Sequence, residues 1–199
     1  RESKKQIYRI FDQLRQTFYC GCKYQQRSII EAECSFNTDK HSARAVRTEI
    51  EHVVPAAAFG RTRPAWRHGH AECVDKSGRP YKGRRCAALV DPLFRRMHAD
   101  LHNLRPVVGA LNAIRGHAEM GHVPGERRRF GPCDVEINAR RFEPPPNVRG
   151  DIARIYFYMD AAYPHQAILT PKERTRFRNW HARDPVSEVE LKLATEIRR

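Results

Sequence analysis

Apolar side chains recur at three- and four-residue steps through Ile7, Ile10, Phe11, Leu14 and Phe18, which predicts an amphipathic helix over 4–19. The glycine in Phe18-Tyr19-Cys20-Gly21-Cys22 ends it. Residues 47–54 (RTEIEHVV) are rich in β-branched side chains, short and stopped by Pro55, which predicts a strand. Residues 60–86 carry Gly60, Gly69, Gly78 and Gly83 with Pro64 and Pro80, and read as an irregular excursion. Segments of that kind in compact domains are usually functional or disordered. Asp91-Pro92 starts a helix, as N-cap and first helical residue, with Leu93, Phe94, Met97 and Leu101 on one apolar face. Pro106 is expected to open the next helix, burying Val107, Val108, Leu111 and Ile114. Residues 133–141 (CDVEINARR) alternate enough for a strand, and Phe142-Glu143-Pro144-Pro145-Pro146 reads as a rigid extended connector. Ile152, Ile155, Tyr156 and Met159 predict a helix over 150–162. Capping boxes in Thr170-Pro171-Lys172-Glu173 and Ser187-Glu188-Val189-Glu190 open two more, the last running to Arg199.

The chain's 199 residues, 40% of them hydrophobic, can build one core, so a single domain over 1–199 is expected. No apolar run approaches the roughly 20 residues that cross a bilayer. No charged-then-apolar leader pattern is present, so any targeting segment is expected to have been removed. Against 23 Asp and Glu stand 37 Lys and Arg, a net charge of +14. Such a balance calls for a polyanionic partner, with nucleic acid ahead of an anionic membrane surface. The six cysteines include no C-x₂-C pair of the zinc-site type. Cys20 and Cys22 flank one glycine and cannot bond each other without strain, which leaves the other connectivities open. An even count favours three disulfides and an oxidising compartment over six reduced core thiols.

Three features carry candidate chemistry: Glu51-His52 on the short strand, His102-Asn103-Leu104, and Asn112 in the following helix. A carboxylate, an imidazole and an amide are what phosphodiester hydrolysis around one hard cation requires. One objection is geometric. Neighbouring strand residues point to opposite faces, so Glu51 and His52 share a site only if the strand ends or bulges there, which Pro55 allows. Taken singly, His52 reads as an ordinary surface or core histidine and Asn112 as a helix-surface residue. A zinc site from His68, His70, Cys73 and Cys86 is a further alternative.

The segment Glu51-His52-Val53-Val54-Pro55-Ala56 resembles the signature of the endonuclease I family of bacterial periplasmic and secreted nucleases, which carry a ββα-metal (His-Me finger) site. The likeness runs from Phe18-Tyr19-Cys20-Gly21-Cys22 through the stretch Ser77 to Cys86 and His102-Asn103-Leu104-Arg105-Pro106. It continues in Arg141-Phe142-Glu143-Pro144-Pro145 and Tyr156-Phe157-Tyr158-Met159, nearly the whole chain. It implies an α+β fold, mostly helical, with a small antiparallel sheet. The ββα-metal core would lie at about 46–117 and the helical remainder at 1–30 and 149–199. It further implies that His52 is the general base and that Glu51 and Asn112 hold one Mg²⁺, with Ca²⁺ or Mn²⁺ substituting in binding. The arginine before the second excursion cysteine would contact the scissile phosphate. Arg84 and Arg85 both precede Cys86, and Arg84 is favoured. Asn103 is expected to fix a loop, with a ligand role as its competitor. His98 supports the site and stands where the family carries an acidic residue. The implied disulfides are Cys20–Cys133, Cys22–Cys34 and Cys73–Cys86. The implied products carry 5′-phosphate and 3′-hydroxyl ends.

The same resemblance implies a periplasmic or secreted monomer, its signal peptide removed, that acts on single- and double-stranded DNA and on RNA with no membrane role. No helix-turn-helix, zinc-finger or RNA-recognition signature suggests base-specific readout. Candidate phosphate contacts are Arg61, Arg63, Arg67, Lys82, Arg85 and Arg115, although any one taken singly reads first as a solvated charge. Arg115, three residues from Asn112 and on its helical face, is the strongest of these. The competing functional class is a basic nucleic-acid-binding protein that has lost catalysis.

Overall fold

The structure, a computed structural model, describes residues 2–34, 36–125 and 128–198. Helix α1 (Glu2–Ile10) runs into a 3₁₀ turn at Phe11–Gln13, shorter than the helix expected to reach 19. The chain is drawn off its helical path where Phe18 N donates to Pro106 O (2.8 Å) and Cys22 N to Thr17 Oγ1 (3.0 Å). A tight hairpin of β1 (Tyr24–Gln25) and β2 (Ser28–Ile29) and the short α2 (Ser42–Ala45) lead to β3 (Thr48–His52), the expected strand.

Between β3 and its partner lie α3 (Ala56–Gly60), α4 (Pro64–His68), α5 (Arg84–Val90) and α6 (Pro92–Ala99). Asp91 caps α6 as expected, accepting from Phe94 N at 2.9 Å. Strand β4 (Leu104–Val108) then pairs antiparallel with β3, Thr48 opposite Val108 and His52 opposite Leu104. Pro106 therefore lies in a strand, not at a helix start. In a two-stranded sheet each strand keeps an unpaired edge, where the missing N–H of proline costs no ladder bond. Helix α7 (Gly109–Arg115) begins directly after β4. A Cβ on Gly109 would come within 2.7 Å of Arg44 O, so the helix enters against α2 only because that residue is glycine.

Beyond α7 a three-stranded sheet orders β5 (Glu119–Met120), β6 (Glu136–Ile137) and β7 (Arg141–Glu143) as β5-β7-β6. The strand expected over 133–141 is thus confined to Glu136–Ile137. Asn138 Oδ1 accepts from the backbone N of Arg140 (2.9 Å) and Arg141 (2.8 Å) and turns the chain back. The expected connector 142–146 begins as β7, and Pro146–Val148 forms a 3₁₀ turn. Helices α8 (Arg149–Ala162), α9 (Pro171–Arg183) and α10 (Glu188–Arg198) complete the chain; the expected end at Arg199 lies outside the described residues. Both capping boxes form: Thr170 N to Glu173 Oε2 (2.9 Å), and Ser187 N to Glu190 Oε2 (3.0 Å) with Glu190 N returning to Ser187 Oγ (3.2 Å). The fold is a single α+β domain whose core joins Phe59, Phe94 and Leu111 to Phe142, Ile152 and Phe177.

All three implied disulfides are present: Cys20–Cys133, Cys22–Cys34 and Cys73–Cys86. The last staples the excursion to α5. Restricting the unfolded chain in this way is typically worth about 2–4 kcal/mol per bond.

Candidate active site

The geometric objection to Glu51-His52 is answered by two side chains that bend the end of β3. Arg115, at the last turn of α7, ion-pairs with Glu51 Oε1 and donates to His52 O (3.0 Å) and Val53 O (2.8 Å). Asn103 brackets the next residue: its Oδ1 accepts from Val54 N (2.7 Å), its Nδ2 donates to Val54 O (3.0 Å), and its carbonyl accepts from Val53 N (3.0 Å). The strand ends at His52 and the chain bends at Val53-Val54, and Glu51 and His52 line one cavity of about 330 Å³ together with Arg84 and Asn112.

His52 is buried, and the Nε2 edge of its ring lies 2.8 Å from His98 O. A carbonyl can only accept, so Nε2 carries the hydrogen and Nδ1 keeps its lone pair, towards which Arg84 Nη2 donates at 3.2 Å. Burial first, then the Arg84 charge and His98, push the His52 pKa down to about 3. The ring is therefore a neutral imidazole with its basic nitrogen in the cavity.

Glu51 offers the cavity one oxygen. Arg115 and Tyr19 (3.4 Å) both engage Oε1, and no described residue hydrogen-bonds Oε2. Burial pushes the Glu51 carboxyl up, against the opposing pull of Arg115. Asn112 is oriented by Glu49, whose carboxylate accepts from Nδ2 at 3.1 Å. That orientation leaves Oδ1 with no donor among the described residues. Burial alone would raise Glu49, but its bonds to Arg44, Arg47 and Asn112 outweigh it and hold the carboxyl low. One carboxylate oxygen and one amide oxygen are donors that a hard divalent cation accepts while keeping several waters. The donor set fits Mg²⁺.

Of the two candidate arginines preceding Cys86, Arg84 lines the cavity, whereas Arg85 stacks on the Tyr81 ring at 4.1 Å. Arg84 has no carboxylate partner among the described residues; it donates to His52 and to His98 Nε2. Burial, then the Arg84 charge, push His98 down to about 4.

Two expected phosphate contacts, Arg115 and Arg63, are overturned, and two competing readings, Asn103 as a ligand and the zinc site, fail. Arg115 is no phosphate contact: its side chain is 0% exposed and its donors serve Glu51 and the backbone of β3. The same helical face carries Asn112 towards the cavity and Arg115 into the core. Asn103 cannot act as a metal ligand, because both ends of its amide are engaged by Val54. Arg63 pairs with Asp91 and also bonds Gln166. The zinc alternative fails because Cys73 and Cys86 form a disulfide, and among the described residues no three His, Cys, Asp or Glu side chains converge. Lys82 and Arg61 are exposed, Lys82 beside a separate cavity with His68 and His70. Sequence reasoning missed Glu49 and Tyr19, which orient the donors, and Lys4, Trp66 and His117, which line the cavity. The two-residue step from Glu49 to Glu51 was the one available signal.

A paired β3–β4 leading into α7, with an acid, a histidine and an amide converging where they meet, defines a ββα site. The family model described as Endonuclease I matches residues 3–199, and the chain belongs to that family. It is 35% identical over 180 residues to "Endonuclease-1" of Buchnera aphidicola subsp. Acyrthosiphon pisum, a match covering 87% of this chain and 66% of that protein. It is 33% identical to an "Extracellular deoxyribonuclease" of Aeromonas hydrophila, covering 99% of this chain and 83% of the relative. A "Periplasmic deoxyribonuclease" of Aeromonas hydrophila is 30% identical, over 99% and 79% of the two chains.

Proposed function

We propose that this protein is an endonuclease that hydrolyses phosphodiester bonds of DNA, single- or double-stranded, and of RNA, without sequence preference. One observation carries the reading. A neutral imidazole nitrogen lines the same cavity as two oxygen donors and a guanidinium that, among the described residues, have no donor and no carboxylate partner respectively. His52 Nδ1 removes the proton from an attacking water, and the His98 carbonyl holds the ring in the tautomer that keeps this nitrogen unprotonated. Arg84 donates to a non-bridging phosphate oxygen and stabilises the charge that develops there. Glu51 Oε2 and Asn112 Oδ1 would hold one Mg²⁺. When bound, that ion polarises the phosphate and neutralises developing charge. Tyr19, Glu49 and Arg115 keep those oxygens in place. The products follow the family resemblance: 5′-phosphate and 3′-hydroxyl ends.

The net charge of +14 suits a phosphate backbone read without base contacts. Three disulfides and the names of the Aeromonas relatives favour a periplasmic or secreted protein, and no described helix is long and apolar enough to cross a membrane. We infer from the family resemblance that it acts as a monomer. The test is incubation of supercoiled plasmid and of RNA with the protein and Mg²⁺. Degradation that EDTA arrests supports the reading. Retarded but intact DNA would instead identify a binding protein without catalysis.

A further inference from the structure

Arg84 and His98 form an arrangement that the proposed mechanism does not require. Arg84 reaches His98 Nε2 twice, through Nε at 2.9 Å and Nη2 at 2.7 Å, while Nη2 also meets His52 Nδ1 at 3.2 Å. The His98 ring lies 4.6 Å from that of His52, centroid to centroid, and stacks on Phe94 at 5.5 Å, so α6 fixes its place. Its carbonyl meanwhile takes the Nε2 hydrogen of His52. One residue therefore orients both the base and the guanidinium, the first through its backbone and the second through its ring.

The chemistry of the acceptor matters. A carboxylate here would hold the guanidinium in a charge-assisted pair and partly neutralise it. An imidazole nitrogen gives direction without charge. We propose that His98 is a positioning residue for Arg84, a neutral acceptor that fixes the guanidinium beside His52 and leaves its full charge for a phosphodiester. This rests on the nuclease reading above. Without the acceptor, Arg84 has a nearby carboxylate to move towards in Glu51, whose ionisation its charge already favours.

Steady-state cleavage of a DNA duplex with Mg²⁺ tests this in wild type, His98→Leu, His98→Gln, Arg84→Ala and the Arg84→Ala/His98→Leu double variant. Leucine keeps the packing on Phe94 and removes the acceptor; glutamine restores a neutral one. His98→Leu should lower kcat/KM about tenfold and His98→Gln no more than about threefold. Arg84→Ala should lower it about a hundredfold, with the double variant within about twofold of that, because residues acting through one another are not additive. Losses that multiply in the double variant, or glutamine behaving as leucine does, would overturn the assignment. A wild-type protein that leaves DNA intact breaks the nuclease reading itself, whereas an active wild type with multiplying losses breaks only this inference.

Discussion

Two arginines reach the end of β3 from different helices, and they differ in burial and in partners. Arg115 comes from α7, is enclosed, faces a carboxylate and donates to two consecutive carbonyls. Arg84 comes from α5, opens on the cavity and, among the described residues, hydrogen-bonds imidazole nitrogens. The first has its charge answered inside the protein and serves architecture. The second has no carboxylate partner among the described residues, and it is the one proposed above to meet a phosphate. The difference lies in the partner, which the sequence does not display: Arg115 and Glu51 are 64 residues apart.

Replacing each arginine sharpens that contrast. Arg115→Met should cost about 3–5 kcal/mol, since a buried carboxylate loses its counter-charge and two backbone carbonyls lose their donor. Urea unfolding would show it, and wild-type stability of that variant would break the distinction. Lysine should not restore it, because a single ammonium cannot span Glu51 and two carbonyls as the fork does. Arg84→Ala is expected to leave the unfolding free energy within about 0.5 kcal/mol, because no buried carboxylate loses its counter-charge, while activity falls. Loss of stability there would show that Arg84 too is architectural.

Asn103→Ala should cost about as much as Arg115→Met in the same urea unfolding. It strands the N–H and C=O of Val54, each worth about 1–3 kcal/mol when buried without a partner. A separate prediction concerns pH. His52 and His98 are held at about 3 and about 4 in the folded protein, below the value near 6.5 of the unfolded chain. As pH drops below about 6.5 the unfolded state takes up protons that the native state refuses, so stability declines on acidification and is unaffected above that pH. His98→Gln should flatten part of that decline between about 6.5 and 4; a melting-temperature series against pH reads it directly.

Legibility in the sequence followed locality. Asp91-Pro92 and both capping boxes declared their helices because the partners lie three residues apart. Pro106 misled because the local rule for proline as a helix opener competes with its tolerance at an unpaired strand edge, and only pairing with β3 decides between them. The helical step from Asn112 to Arg115 stated a shared face, but not that the face turns inward by the final turn. Residues 51, 52, 84 and 112 were nameable by family likeness. The devices that bring them together, Arg115 on three successive residues and Asn103 around Val54, are long-range hydrogen bonds with no local signature.

The central claim is that the Nδ1 lone pair of His52 is the base, and single-turnover cleavage of DNA by His52→Ala with Mg²⁺ tests it most directly. The predicted result is a rate about 10²–10⁴ times lower than wild type, with DNA affinity unchanged in EDTA. Cleavage by that variant at close to the wild-type rate would contradict the account.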